Sequence, residues 1–275
     1  MPAWNADKTI RASLDSIVNQ KFTDFEVLIM DGLSTDLTVQ IVQSYAVRNP
    51  RIRWISEKDN GIFDAMNKGI QAAKGEWVYF MGSDDSLIND NVLGLIAGNI
   101  EDKDEIIYGN SVWLPANFDD HGPKSYLGLL QEGINHQRVF YKKELFTKYG
   151  FYNVHFKFAS DLELNNRFFC NPAIQRKYVN VPVANFHAGG ISAQHIDEEL
   201  WKNWKSIIVK NFKPYLPNKQ IYRRLSWYCW FILQKKKYRE AGVLFCNICF
   251  YTLSFTFVRH TMSQVLKLAR GKNNS

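Results

Sequence analysis

Apolar residues over the first hundred positions switch repeatedly between two spacings. Ile10, Leu14, Ile17 and Val18 recur at helical intervals, which predicts an amphipathic helix with Asn5 or Asp7 available as its cap. FEVLIM at 25–30 is a short continuous apolar run closed by Asp31-Gly32, the pattern of a strand buried on both faces. Ile41, Val42, Tyr45 and Ala46 predict a second helix starting at Thr35 or Asp36. IRWI at 52–55 reads as a strand, Ile62 to Ala73 as a helix, and EWVYFM at 76–81 as a strand that stops at Gly82-Ser83-Asp84-Asp85. The αβαβαβ order implies right-handed crossovers and a parallel sheet. Such sheets bind ligands beyond the carboxyl ends of their strands.

Those ends are acidic. Asp31, Asp59 and the Asp84-Asp85 pair each follow a predicted strand, so a parallel sheet would open all of them onto one rim. Asp36 and Asp90 read as ordinary helix caps. Asp84 and Asp85 do not, because adjacent carboxylates after a buried strand repel one another. A divalent cation, Mg²⁺ or Mn²⁺, would compensate them, its shell completed by ligand phosphates. A metal held in this way serves a diphosphate leaving group. The chain has neither G-x-x-x-x-G-K-[ST] nor G-x-G-x-x-G, so a P-loop ATPase and a dinucleotide dehydrogenase are unsupported.

Composition changes the picture in one respect. With 275 residues, 46% of them apolar, the chain suits one enzyme-sized domain and a smaller appendage. The net charge of +7 would suggest an acidic partner, but it is an unequal sum: residues 201–275 carry +14 and residues 1–200 carry −7. The expected domains are accordingly 1–200, an acidic body, and 201–275, a basic, aromatic-rich helical region. That region holds Trp201, Trp204, Trp227 and Trp230, then Lys235-Lys236-Lys237 and Arg239 ahead of the uncharged run 243–258. The run is too short and too polar to span a bilayer. Aromatics beside clustered cations suit the headgroup layer of an anionic leaflet; the alternative is a helical subdomain packed on the catalytic body. Cys246 and Cys249 are spaced C-x-x-C inside an apolar run with no second Cys or His pair to complete a zinc site, so they read as core or interface residues. No signal peptide is recognisable. The expected location is therefore cytoplasmic and peripheral, at the inner face of the cytoplasmic membrane, with nucleic acid the least supported partner.

PAWNADKTI at 2–10, DGLSTD at 31–36, DNGIFDAMNKGI at 59–70, GSDD at 82–85 and SDLEL at 160–164 occur in that order. Together they resemble family 2 glycosyltransferases of the GT-A fold, particularly bacterial enzymes of polysaccharide or lipopolysaccharide assembly, over roughly residues 1–195. The resemblance implies an α/β fold, a mostly parallel central sheet flanked by helices, with a C-terminal helical tail. It implies that Pro2 and Trp4 contact the nucleotide base, that Asp31 hydrogen-bonds it and that Asp59 faces the nucleoside. Asp84 would lie near ribose and diphosphate, and Asp85 would be the principal metal ligand. Asp161 would be the general base of a single inverting displacement, moving sugar from a nucleotide-diphosphate donor to a saccharide or lipid-linked saccharide acceptor. The plainer alternative makes Asp161 or Ser160 the N-cap of a helix at 160–169. INHQRVFYKKELF at 134–146 fits the acceptor side, where His136 either contacts a sugar or is structural. HAGGIS at 187–192 is either a mobile loop or a fixed turn.

Two features depart from the family pattern. Gly82 stands where many relatives have the first acid of a D-x-D triplet. The central first strand is also expected immediately before Pro2, where this sequence has only Met1. Without it, neighbouring strands would face each other across a gap, and the expectation is a reading frame that starts upstream. A non-catalytic, membrane-associated assembly protein is one alternative. A sugar nucleotidyltransferase is another, although PAWNADKT is not the glycine-rich loop it needs.

Overall fold

The computed structural model describes residues 1–114, 118–187, 195 and 197–234. They belong to two compact units, Met1–Pro123 with Ile134–Ile196, and Lys124–Gly133 with the chain from Asp197 onward. The boundary expected at 200 falls inside a helix beginning at Glu198, and a mid-chain segment joins the C-terminal helices.

The first unit opens with β1 (Pro2–Ala3), α1 (Ile10–Val18), β2 (Val27–Asp31), α2 (Thr38–Ala46), β3 (Ile52–Ser56) and α3 (Ile62–Ala72). Its strands form a parallel sheet in the order β1-β2-β3, with Pro2 opposite Met30 and Val27 opposite Ile52. Every residue of β2 is buried, as its unbroken apolar run requires. Ile10, Leu14 and Ile17 form the buried stripe of α1. The capping differs from expectation: Thr9 and Leu37 hold the N-cap positions and neither gives a side-chain bond. Asp36 instead accepts from the amides of both Asp7 and Thr38, tying the starts of the two helices together.

Next come β4 (Trp77–Tyr79), β5 (Ser86–Leu87), α4 (Val92–Ala97), β6 (Ile106–Leu114), β7 (Phe118–Asp120), β8 (Val139–Lys142), α6 (Glu144–Tyr149), α7 (Ser160–Phe169) and β9 (Arg176–His187); α5 (Tyr126–Glu132) belongs to the second unit. These strands form a second sheet in the order β4-β8-β6-β9-β5, with β7 on β6. It is antiparallel except for β6 against β9. β4 thus pairs antiparallel with β8 and does not continue the first sheet as the αβαβαβ pattern implies. Between β2 and β4 lies a cavity of about 410 Å³ whose lining includes Met1, Val27, Leu28, Val78, Tyr79 and Phe140. Periodicity registers each strand but not who its neighbour is. The Met1 amino group donates to the Leu28 carbonyl at 2.8 Å, and burial pushes it down to about 5.

Residues of both sheets nevertheless share one core, with Leu14, Ile29 and Val42 in the same cluster as Val92, Ile107 and Val183. Beneath α7 an aromatic block replaces aliphatic packing. Phe146 meets Tyr141 and Phe168 edge-on at 5.7 and 5.5 Å, and Phe80 meets Tyr152 at 5.3 Å.

The second unit contains α5 (Tyr126–Glu132), α8 (Glu198–Phe212) and α9 (Asn218–Gln234). Ser125 and Asp197 cap the first two by accepting from Gly128 N and Leu200 N. Leu200, Trp204, Ile208 and Phe212 form the buried stripe of α8, and Tyr126 stacks on Tyr215 at 3.9 Å. Among the described residues no helix is long and apolar enough to cross a membrane. Lys235–Lys237, Arg239, the run 243–258, Cys246, Cys249 and the glycines of HAGGIS lie outside the described residues. Cys170 and Cys229 are buried.

Where β6 changes register against β9, Gly109 has no room for a side chain: a Cβ there would lie 2.3 Å from the Val181 carbonyl and 2.7 Å from Val183 Cγ2. Gly109→Ala should therefore cost about 1–3 kcal/mol, as overpacking does, and lower the midpoint of urea unfolding.

Candidate active site

Two clusters form on the first unit. One lies at the carboxyl end of the parallel sheet. Asp31, the last residue of β2, is 3% exposed. Its Oδ2 accepts from Ser34 N at 3.1 Å and from Ser56 Oγ at 2.6 Å, while the buried Oδ1 has no partner. A buried carboxylate oxygen without a donor is costly, so Oδ1 is an acceptor awaiting an N–H or O–H. Gly32 admits its neighbours because a Cβ there would sit 2.6 Å from Asp59 Oδ2 and 3.5 Å from Trp4 Cδ1. Asp59 Oδ1 accepts from Gly61 N, and Trp4 is 64% exposed. Asn5 and Leu33 both have positive φ, 47° and 60°. Asn5 N donates to Ser34 Oγ and Asn5 Oδ1 accepts from Thr35 N, which holds the two loops against each other. Pro2 is placed differently from the expectation of a base contact: it is buried in β1 and lines the inter-sheet cavity.

The second cluster centres on Asp85, 2% exposed. Gly82 N and Gln137 Nε2 donate to its Oδ2 at 3.1 and 2.8 Å, and His187 N donates to Oδ1 at 3.2 Å. Its carbonyl accepts from Ser13 Oγ of α1 at 2.6 Å. Gly82 has a steric reason: a Cβ would lie 2.7 Å from both Asp84 Oδ1 and Asp85 Oδ2. The glycine at the D-x-D position is thus part of how this pair is packed. The Asp84 carboxyl is held above the usual carboxylate range, first by burial and then by the negative charge of Asp85, with His187 and His136 acting in the opposite sense.

Asp161 lies in the first turn of α7, where the helix dipole favours its charge. The N-cap is Ala159, and neither Ser160 nor Asp161 gives a side-chain capping bond, so the capping alternative does not describe this residue. Asp161 Oδ2 instead lies 2.9 Å from His136 Nδ1. One turn further on, Asn165 accepts from Tyr141 OH at 2.6 Å and donates to the Ile134 carbonyl at 3.1 Å. Burial holds the Tyr141 and Tyr152 hydroxyls far above their ordinary range, and the charge of Asp161 adds to it. Gln137, Ser34 and Ser56 are site residues that the sequence motifs do not single out. The serines had a signal in their nearness to acidic strand ends, whereas Gln137 had none beyond its place next to His136.

Among the described residues no three His, Cys, Asp or Glu side chains converge as a metal cage. Asp85 Oδ2 already takes two donors, but Oδ1 takes one and keeps a lone pair. Together with the charge repulsion at Asp84, this donor set fits a hard cation held by one or two carboxylates and completed by ligand phosphates.

The sequence profile of Glycosyl transferase family 2 matches residues 1–177. The chain belongs to this family. A PGL/p-HBAD biosynthesis glycosyltransferase of Mycobacterium bovis is 35% identical over 207 residues, covering 74% of this chain and 81% of the relative. Among solved structures, Staphylococcus aureus TarS 1-349 in complex with UDP superposes with a TM-score of 0.62 at 18% identity, covering 85% of this chain and 70% of that one. The mannosyltransferase PcManGT of Pyrobaculum calidifontis, in complex with GDP-Man and Mn²⁺, gives 0.59 at 17% identity over 99% and 85%. At these identities the superpositions establish the fold, which is that of GT-A glycosyltransferases. This family 2 glycosyltransferase therefore carries its acids on the fold the sequence implied.

A carboxyl whose folded pKa is raised binds its proton more readily in the folded state, so stability falls as pH rises from the unfolded to the folded value and stays lowered above it. Asp84→Asn should consequently raise Tm at pH 7, with the gain disappearing below the ordinary carboxylate range. Thermal melts of both proteins across pH check this.

Proposed function

We propose that the protein is an inverting glycosyltransferase that moves a sugar from a nucleoside-diphosphate donor to a saccharide or lipid-linked saccharide acceptor in cell-surface polysaccharide or glycolipid biosynthesis. The observation that carries this reading is the partnerless, buried Oδ1 of Asp31 beside exposed Trp4 and Asp59. It offers one acceptor and a flat apolar surface, which suits a nucleobase. An acceptor-only carboxylate requires an N–H on the base edge. Uracil, thymine and guanine supply one from the ring; cytosine presents a lone pair there.

The diphosphate lies with Asp84 and Asp85. A divalent cation, Mn²⁺ or Mg²⁺, bound there would neutralise charge on the leaving diphosphate, and the Mn²⁺ in the PcManGT complex supports that assignment. Asp161 serves as the base. Its Oδ2 is engaged by His136 Nδ1, which leaves Oδ1 to take the proton from an acceptor hydroxyl. As that O–H bond breaks, the oxygen attacks the anomeric carbon from the face opposite the phosphate. The bond from the anomeric carbon to phosphate oxygen breaks, the nucleoside diphosphate departs, and the configuration inverts. The naming of the M. bovis relative for PGL/p-HBAD biosynthesis supports an acceptor of cell-surface glycoconjugate type.

A peripheral contact with an anionic leaflet at the inner face of the cytoplasmic membrane fits the +14 of residues 201–275. In the second unit Arg224 lies 4.3 Å over the ring of Trp227, which is 43% exposed, the pairing of cation and aromatic that headgroups favour.

Calorimetry should show UDP or GDP binding at least about tenfold more tightly than CDP, because a mispaired buried acceptor loses more than a missing contact does. Asp161→Asn should lower turnover by about 10²–10⁴ with nucleotide affinity unchanged. Co-sedimentation with phosphatidylglycerol vesicles should fall as salt rises; no binding to these vesicles at low salt would remove the membrane contact, and equal partition into neutral vesicles its preference for an anionic leaflet.

A further inference from the structure

Asp85 and Asp161 lie far apart in sequence, yet consecutive residues hold them. Gln137, 4% exposed, donates through Nε2 to Asp85 Oδ2 at 2.8 Å. His136 meets Asp161 Oδ2 through Nδ1 at 2.9 Å. Both side chains leave one 3-10 turn, His136–Arg138, that is anchored on all sides. Asn135 Oδ1 caps it by accepting from Gln137 N at 2.8 Å, and Tyr79 OH of β4 donates to the Gln137 carbonyl at 2.8 Å. Arg138 is fully buried, donates to the carbonyls of Gly109, Asp120 and Gly122, and pairs with Asp120 Oδ1 at 2.7 Å.

The side chains chosen are informative. A lysine or arginine at 137 would hold Asp85 more strongly, but it would quench the charge that a cation needs. An amide donates without a charge, so it orients the carboxylate and leaves it anionic. An ionised carboxylate is acceptor-only, so the shared proton sits on His136 Nδ1. This fixes one oxygen of Asp161 and leaves the other directed elsewhere, as orienting groups do in base dyads.

We propose that the turn 135–138 is a yoke in which Gln137 and His136 are positioning residues, setting the donor-side Asp85 and the acceptor-side Asp161 relative to each other. The inference rests on the roles given above to those two acids. Because each residue acts through a different carboxylate, their loss has different kinetic signatures. Removing Gln137 takes away one of the two donors to Asp85 Oδ2, loosens that carboxylate and weakens the diphosphate end. Removing His136 frees Asp161 and slows proton removal without touching the nucleotide.

The full chain and its variants are compared by calorimetry with UDP and GDP in Mn²⁺, and by turnover of UDP-GlcNAc and GDP-mannose with water as acceptor, with Tm recorded for each. Gln137→Leu should raise the nucleotide Kd about tenfold, as loss of a hydrogen bond to a charged group does. Gln137→Asn, which stays polar but withdraws the amide by one methylene, should do the same should the leucine variant fold poorly. His136→Ala should leave Kd within about twofold and lower kcat at least about tenfold. His136→Asn, whose amide can replace the Nδ1 donor, should recover most of that loss. Equal effects of the Gln137 and His136 variants on Kd and kcat, no effect from either, or an asparagine no better than alanine at 136 would overturn the yoke. A native chain that binds neither nucleotide, or an Asp161→Asn variant with full turnover, would instead overturn the assigned roles, and the yoke with them.

Discussion

Placing the Asp85 carboxylate at 2% exposure is the constraint around which the site is built. A buried anion must be supplied with donors or it will not stay charged. Here the donors come from three separate parts of the chain: Gly82 just beyond β4, Gln137 before β8, and His187 at the end of β9. The Asp85 main chain adds a fourth part through Ser13 of α1. Satisfying one carboxylate therefore draws together the end of β4, the turn that carries His136, and the end of β9. The requirement also explains Gly82, since a side chain there would occupy the space the carboxylates need.

The same economy of donors separates the roles of the remaining acids. Asp85 is nearly saturated and rigid. Asp84, beside it, has a charge that both burial and its neighbour oppose, which makes it the member of the pair with most to gain from a cation. Asp161 is neither saturated nor a cap; one oxygen is committed to His136 and the other is open. Asp31 is the reverse case, a fully buried group with one oxygen deliberately unsatisfied. Native interiors seldom keep such a group unless a ligand completes it. Environment alone thus divides four aspartates: one nearly saturated with donors, one whose charge is opposed, one with an open oxygen and one with a buried oxygen left without a donor.

Support for this geometry comes from two kinds of packing. At the Asp31 end, short strands end in loops that are pinned by side-chain bonds, such as Asn5 to Thr35 and Ser56 to Asp31. On the other side, the aromatic block of Phe80, Tyr141, Phe146 and Phe168 carries α7. Asn165 locks the helix rotation through Tyr141 OH and Ile134 O. Asp161 is then held by a helix whose inner face is nearly incompressible.

Much of this was legible in one dimension. The helices at 10–18 and 160–169, the strand ending at Asp31 and the acids after each strand all follow from local periodicity and composition. The ordered motifs were specific enough to identify the family. Local pattern reports whether a segment is helix or strand and which face is apolar, because those depend on neighbours a few residues away. It does not report which strand lies beside which. The split into two sheets, the antiparallel partner of β4 and the transfer of 124–133 to the helical unit were decided by tertiary contacts between distant segments. The same holds for Gln137: a lone glutamine carries no periodic signal, and it became a site residue only when folding placed its amide 2.8 Å from a buried carboxylate 52 positions away. Sequence determined which groups were available for chemistry; the tertiary fold decided which were buried, which were held and which were left open, because hydrogen-bond supply and burial are properties of the assembled interior.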